Sequence, residues 1–138
     1  KKSGFVPFSA GRNAEGARMP QTFIAEARSP AQAAFLAAWE RATGSVRIPV
    51  PPAAAQGYDS MQLLAAAIRQ AGSLDGPRIR EALENLDAEV DGVIMRYRRP
   101  FSRDNHETLR SARQIHLGEI RDGTVVFAHE AAPDRPGP

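Results

Sequence analysis

Proline placement constrains this chain more than any other feature. Pro30, Pro51, Pro52 and Pro77 all stand at the openings of apolar-periodic runs. Proline lacks an N–H and clashes with the carbonyl four residues back, so a helix tolerates it only in the first turn. Ser29-Pro30 therefore predicts a helix start, with Ala31, Ala34, Phe35, Ala38 and Trp39 forming one stripe at helical spacing. Glu40 and Arg41 fall toward the other side, and Gly44 ends the element. Pro49, Pro51 and Pro52 exclude a helix immediately before the second run, which is expected to begin at Ala53 or Gln56 and to reach Ala71, with Gly72 beyond it. From Tyr58 to Ile68 that run is apolar on more than one face, so it should be largely buried, and its alanines permit close packing. A third helix follows Asp75-Gly76, with Pro77 at its opening and Ile79, Ala82, Leu83 and Leu86 as its stripe. Asn85 and Asp87 mark its end.

The remaining segments change period. A short strand is expected at residues 4–8, and another across 17–24, where Pro20 restricts it to a sheet edge or an inter-lobe connection. Residues 92–97 read as a strand and 98–106 as a polar loop. Residues 112–120 read as a strand with Ile115 and Leu117 on one face and His116 between them. Arg121-Asp122-Gly123 is a hairpin turn signal, because Asp-Gly accepts positive φ, and residues 124–128 return as the partner strand. Residues 131–138 carry three prolines and are expected to form a disordered tail, leaving 1–130 as the folded part. Three helices with so few strands cannot cover both faces of a parallel sheet, so these pieces belong to a larger α/β architecture.

Composition narrows the function class. Among 138 residues, 18 basic and 16 acidic side chains are interspersed for a net charge of +2, without an Arg/Lys run interleaved with aromatics. A nucleic-acid partner is therefore not expected. The absence of cysteine excludes disulfides, thiolate metal sites and a cysteine nucleophile. Neither G-x-S-x-G, a P-loop nor G-x-G-x-x-G occurs, so an enzyme is not expected, and no cofactor or metal is implied. His106 and His116, with Asp104 and Glu107, lack short ligand spacing and read as surface histidines. Arg96, Arg98 and Arg99 read as a solvated strand end, and Glu15 as a turn residue or a partner across a hinge. The longest apolar run is too short to span a bilayer. Lys1-Lys2-Ser3-Gly4-Phe5-Val6-Pro7 has no continuous apolar core of an export signal, leaving a cytoplasmic protein or a chain whose N-terminus has been removed.

Three segments in fixed order carry a resemblance. These are Ala14-Glu15-Gly16-Ala17-Arg18-Met19-Pro20, then Ala53-Ala54-Ala55-Gln56-Gly57-Tyr58-Asp59-Ser60 running into the Ala/Leu helix and Ala71-Gly72-Ser73, then Asp75-Gly76-Pro77-Arg78-Ile79-Arg80-Glu81-Ala82-Leu83-Glu84. From Ala14 to about Ala128 the set resembles the C-terminal part of the Leu/Ile/Val-binding family of ABC-transporter periplasmic substrate-binding proteins. The resemblance implies part of a type I periplasmic binding protein fold: two α/β lobes joined by three hinge strands, incomplete here, with this chain contributing to both lobes. It implies a periplasmic solute-binding component of an importer, a small-molecule solute in the inter-lobe cleft and an ABC permease as partner. A ligand-sensing regulatory domain of the same fold, or a fragment without independent activity, are the alternatives. Members of the family are more than twice this length, so a truncated lobe would expose sheet edges, and domain-swapped or homodimeric association is expected of the isolated piece. The Pro100-Phe101-Ser102 insertion resembles members that take aromatic acids or amides, beside the branched-chain amino acids.

The same resemblance brings the start of the second helix toward the cleft. Helix N-termini offer free N–H groups to a carboxylate, so Ala54, Ala55, Gln56 and Tyr58 are the candidate ligand-binding residues. Asp59 is expected to complement the helix dipole.

Overall fold

Helices and sheet occupy separate parts of the chain in the computed structural model, which describes residues 11–128. The expected strand at 4–8 and the tail at 131–138 lie outside the described residues. A 3-10 turn at Gly11–Ala14 leads into β1 (Arg18–Gln21). Then come α1 (Pro30–Thr43), α2 (Pro51–Ala71) and α3 (Gly76–Glu84). The short strands β2 (Val90–Asp91) and β3 (Arg96–Tyr97) form a two-stranded hairpin. After a second 3-10 turn at Ala112–Gln114, β4 (His116–Arg121) and β5 (Thr124–Phe127) complete a three-stranded antiparallel sheet in the order β1-β4-β5.

The helix signals act through local chemistry. The Ser29 hydroxyl accepts the Gln32 N–H at 3.2 Å, and Asp75 accepts the Arg78 N–H at 3.4 Å, each satisfying one orphan donor of a first turn. Gly44 and Gly72 close α1 and α2 in the left-handed region, at φ of 68° and 57°. Along the α1 stripe Phe35 is buried and Ala31, Ala38 and Trp39 are half-buried, whereas Ala34 is exposed. The start of α2 departs from expectation. Both Pro51 and Pro52 lie inside the helix, at its first two positions, where the missing N–H groups have no intrahelical carbonyl to lose.

Two apolar clusters form the core. Phe23, Phe35, Ile48, Ala55 and Val93 make one, and Leu63, Ala66, Ala67, Ala82, Leu86 and Tyr97 make the other. α2 runs through both, and Ala55, Asp59 and Leu63 share its buried face at i, i+4 spacing. Asp59 is therefore not a dipole complement near a helix end. It is the ninth residue of α2 and is 1% exposed. Its carboxylate accepts the Val93 N–H at 2.7 Å, the Ile94 N–H at 2.9 Å and the Tyr97 hydroxyl at 2.9 Å.

That node explains why residues 92–97 are not one strand. The chain turns between β2 and β3, where two successive N–H groups point at the carboxylate instead of joining a ladder. Gly92 opens this turn because nothing larger fits. A Cβ there would stand 2.5 Å from Cε2 of Tyr97 and 2.6 Å from Oδ2 of Asp59. The Gln32 side chain adds α1 to the assembly by donating to the Val93 carbonyl at 3.1 Å.

The hairpin turn forms as expected, with Asp122 and Gly123 at φ of 49° and 69°. The Glu15 carboxylate caps it by accepting the Asp122 N–H at 2.9 Å, so Glu15 is a turn-binding residue. The strand beginning at 112 is shorter than expected, since Ser111 and Gln114 form a capping box around the 3-10 turn. Its buried face is the one opposite Ile115 and Leu117. Gly118 and Ile120 are buried, while Ile115 and Leu117 are 43% and 51% exposed. Gly118 sets this choice, because a Cβ there would meet Val125 Cγ1 at 2.7 Å, so the close packing of the sheet falls on the glycine side. On the other face Glu119 accepts from Arg121 at 2.7 Å and from Arg18 at 3.0 Å. The Arg121 hydrogen bond, with the one from Arg18, holds the Glu119 carboxyl below its usual range.

Gly92→Ala is expected to destabilise the full-length protein by about 2 kcal/mol, the cost of overpacking a rigid site, measured as a shift of the urea unfolding midpoint. The Tyr97 phenol should show itself in alkali. Burial, then the Asp59 charge and the hydrogen bond to it, push its pKa up, so the folded state keeps a proton that the unfolded chain releases near pH ~10. The stability it contributes is complete below that pH and is lost as pH rises above it. Unfolding free energy measured from neutral pH into alkali should fall beyond about pH 10, and Tyr97→Phe should remove that component.

Candidate functional site

β1 runs out at Gln21, and the residue that follows it meets the first turns of α2. The Gln56 amide donates to the Thr22 hydroxyl at 3.1 Å, joining helix to strand end at an exposed position. Tyr58 is 37% exposed and packs its ring edge-on against Phe35, with centroids 5.1 Å apart. Phe35 in turn meets Phe23 edge-on at 5.7 Å, so the tyrosine rests on the apolar cluster and keeps its other side open. Ala54 is half-buried and Ala55 fully buried in that cluster. The four residues singled out from sequence thus occupy one turn and a half of helix, with Gln56 and Tyr58 outward and the two alanines toward the core.

The amide donors sit elsewhere than the sequence suggests. Because α2 begins at Pro51, the Ala54 N–H already bonds to the Val50 carbonyl at 3.1 Å. The two prolines carry no N–H, so among the opening helical positions only Ala53 offers a free one. Side chains, rather than a row of backbone amides, are the polar groups at this edge.

A second group lies at the same end of the sheet. His116 faces Gln21 across the β1–β4 ladder, and its ring meets Phe127 of β5 edge-on at 5.3 Å. The Arg28 guanidinium lies 3.2 Å above the Phe127 ring centroid. Sequence reading missed this group, because Arg28 and Phe127 are 99 positions apart and only the antiparallel ladder brings them together.

Other candidates resolve into local structure. His106 contacts Glu84 at 3.2 Å, and hydrogen bonding from Arg80, with that from His106, lowers the Glu84 pKa. Arg96 pairs with Asp91 and Arg98 with Glu89 at 2.9 Å. Among the described residues no three His, Cys, Asp or Glu side chains converge on a metal position, and no helix is long and apolar enough to cross a membrane. An open depression of about 420 Å³ lies between the C-terminal turn of α2 and α3, lined by residues including Gln70, Arg78 and Glu81. It stands about 21 Å along α2 from Gln56. The Gln70 amide there is already spent on the Asn85 carbonyl and the Asp87 N–H.

The arrangement, three helices beside an antiparallel β1-β4-β5 sheet, is an α/β piece covering about a third of a type I periplasmic binding protein fold. Residues 7–124 match the model of the periplasmic binding protein family, so the chain belongs to that family of non-enzymatic binding proteins. Among solved structures, it is similar to a leucine-binding protein from Thermotoga maritima, with a TM-score of 0.70 and 21% identity over 89% of this chain and 33% of that one. It is also similar to an ABC-transporter solute-binding protein from R. palustris in complex with benzoate, with a TM-score of 0.63 and 21% identity over 91% of this chain and 32% of that one. The chain therefore spans about a third of each of these proteins. No curated protein sequence matches it.

Proposed function

We propose that this chain is the C-terminal part of the solute-binding component of an ABC importer, acting in the periplasm. The match of residues 7–124 to the periplasmic binding protein family carries this reading. The solute is a branched-chain amino acid, a related amide or an aromatic acid, held between two α/β lobes. Similar structures, one of a leucine-binding protein and one with benzoate bound, stand at equal identity and support that range. Binding of this kind buries an apolar body and orients it with a few polar groups. Lobe closure then presents a docking surface to the membrane permease.

Within this chain the cleft edge is the opening of α2. Gln56 and Tyr58 supply an amide and a phenol at the surface, while Ala54 and Ala55 keep the helix close to the Phe23–Phe35 cluster so that these groups sit at the strand end. A screen of the full-length protein by thermal shift against amino acids, amides and aromatic acids is expected to find a stabilising solute. Gln56→Ala and Tyr58→Ala should each weaken that solute on the order of tenfold, about 1.4 kcal/mol, by calorimetry. Unchanged affinity in both variants would remove this edge from the binding site.

A further inference from the structure

We propose that Arg28 is an anion-recognising residue of the solute site, selecting solutes that carry a carboxylate; this rests on the solute-binding reading above. The residue is firmly held. Its N–H donates to the Gln32 side chain at 2.8 Å, and the same Gln32 amide donates to the Val93 carbonyl at 3.1 Å. Val93 is fixed by its own N–H on buried Asp59. The backbone of Arg28 is therefore tied, through two side chains, to the centre of the helical core.

The guanidinium is fixed at its other end. It lies over Phe127 at 3.2 Å, and His116 braces that ring edge-on. Stacking occupies the flat face of a guanidinium and leaves its N–H edge free, the edge that matches a carboxylate in bidentate geometry. The carboxylate that approaches it is Glu26, at 3.5 Å on the same exposed loop and 54% exposed itself. Ion pairs of that kind are weak and readily exchanged. The Arg28 side chain remains 55% exposed. A cation whose backbone and flat face are both held, but whose hydrogen-bonding edge is barely used, is organised in advance for an anionic partner.

Its place fits the site. His116 pairs with Gln21, and the next residue, Thr22, accepts from Gln56. Paired strands are about 4.8 Å apart and successive strand residues about 3.4 Å, so the braced arginine and the Gln56 edge share one end of the sheet.

The test compares matched probes, benzoate with benzamide and leucine with leucinamide, by calorimetry on the full-length protein and on its Arg28→Gln and Arg28→Lys variants. The proposal expects the wild type to prefer the acid of a pair. It expects Arg28→Gln to weaken that acid on the order of tenfold while leaving the amide within about twofold, and Arg28→Lys to recover part of the loss. Equal weakening of acid and amide would make Arg28 a structural clasp and overturn the proposal, as would an unchanged acid affinity. Either result leaves solute binding standing. Binding of none of the four probes, nor of any solute in the wider panel, would sink the solute-binding reading and this inference with it.

Discussion

A buried carboxylate, with no cation paired to it among the described residues, is the constraint on which the rest of this structure depends. Asp59 satisfies its charge with two backbone N–H groups and one phenol, all within 2.9 Å. Hydrogen bonds to an ionised acceptor are stronger than neutral ones, and the alternative here is severe. Without Asp59 three donors would be left unpaired in a dry site, each costing about 1–3 kcal/mol. Without the donors, a bare charge would be buried. Helix and turn therefore form together, and Gly92 is the residue that lets them come close enough.

The two core clusters are arranged around that node. One helical turn before Asp59, Ala55 packs into the Phe23–Phe35–Ile48 cluster; one turn after, Leu63 packs into the cluster with Leu86 and Tyr97. Val93 and Tyr97 each belong to a cluster and each donate to the carboxylate. Through the Val93 carbonyl the order spreads to Gln32 of α1, and from there to the loop that carries Arg28. The proposed binding edge would inherit its precision from this chain of contacts, since Gln56 and Tyr58 ride on the same helix, within one turn of Asp59. The sheet meets this body through few contacts, chiefly Gln56 with Thr22 and Arg28 with Phe127.

Much of this was legible from residue order alone. Ser29-Pro30, Asp75-Gly76-Pro77, Gly44 and Gly72 mark helix ends because caps and prolines act within a few residues. Asp122-Gly123 marks its turn for the same reason. What escaped the sequence depends on distant partners. Pro51 and Pro52 are the local exception: they suggest chain upstream of a helix, yet the first two helical positions accept them. Residues 92–97 carry apolar side chains suited to a strand, but the carboxylate 34 residues earlier takes the N–H of Val93 for itself. The inner face of β4 is set by Gly118 against Val125 across the hairpin, a packing fact that alternation cannot reveal. One signal for Asp59 does lie in the sequence: it stands four residues from both Ala55 and Leu63, in the middle of the buried stripe. The open edge of Tyr58 was easier to place than the Arg28–Phe127 pair, because the first is local to a helix and the second exists only through strand register.

Native-state hydrogen exchange of the Val93 and Ile94 amides in the full-length protein tests the central role of Asp59 most directly. Both amides lie in a turn, outside any strand ladder, where an ordinary loop amide exchanges through small local openings. If the carboxylate organises the fold, both should be protected to the level of the buried α2 amides and should exchange only when the domain unfolds. Exchange of both at the rate of exposed loop amides, with α2 still protected, would contradict the account.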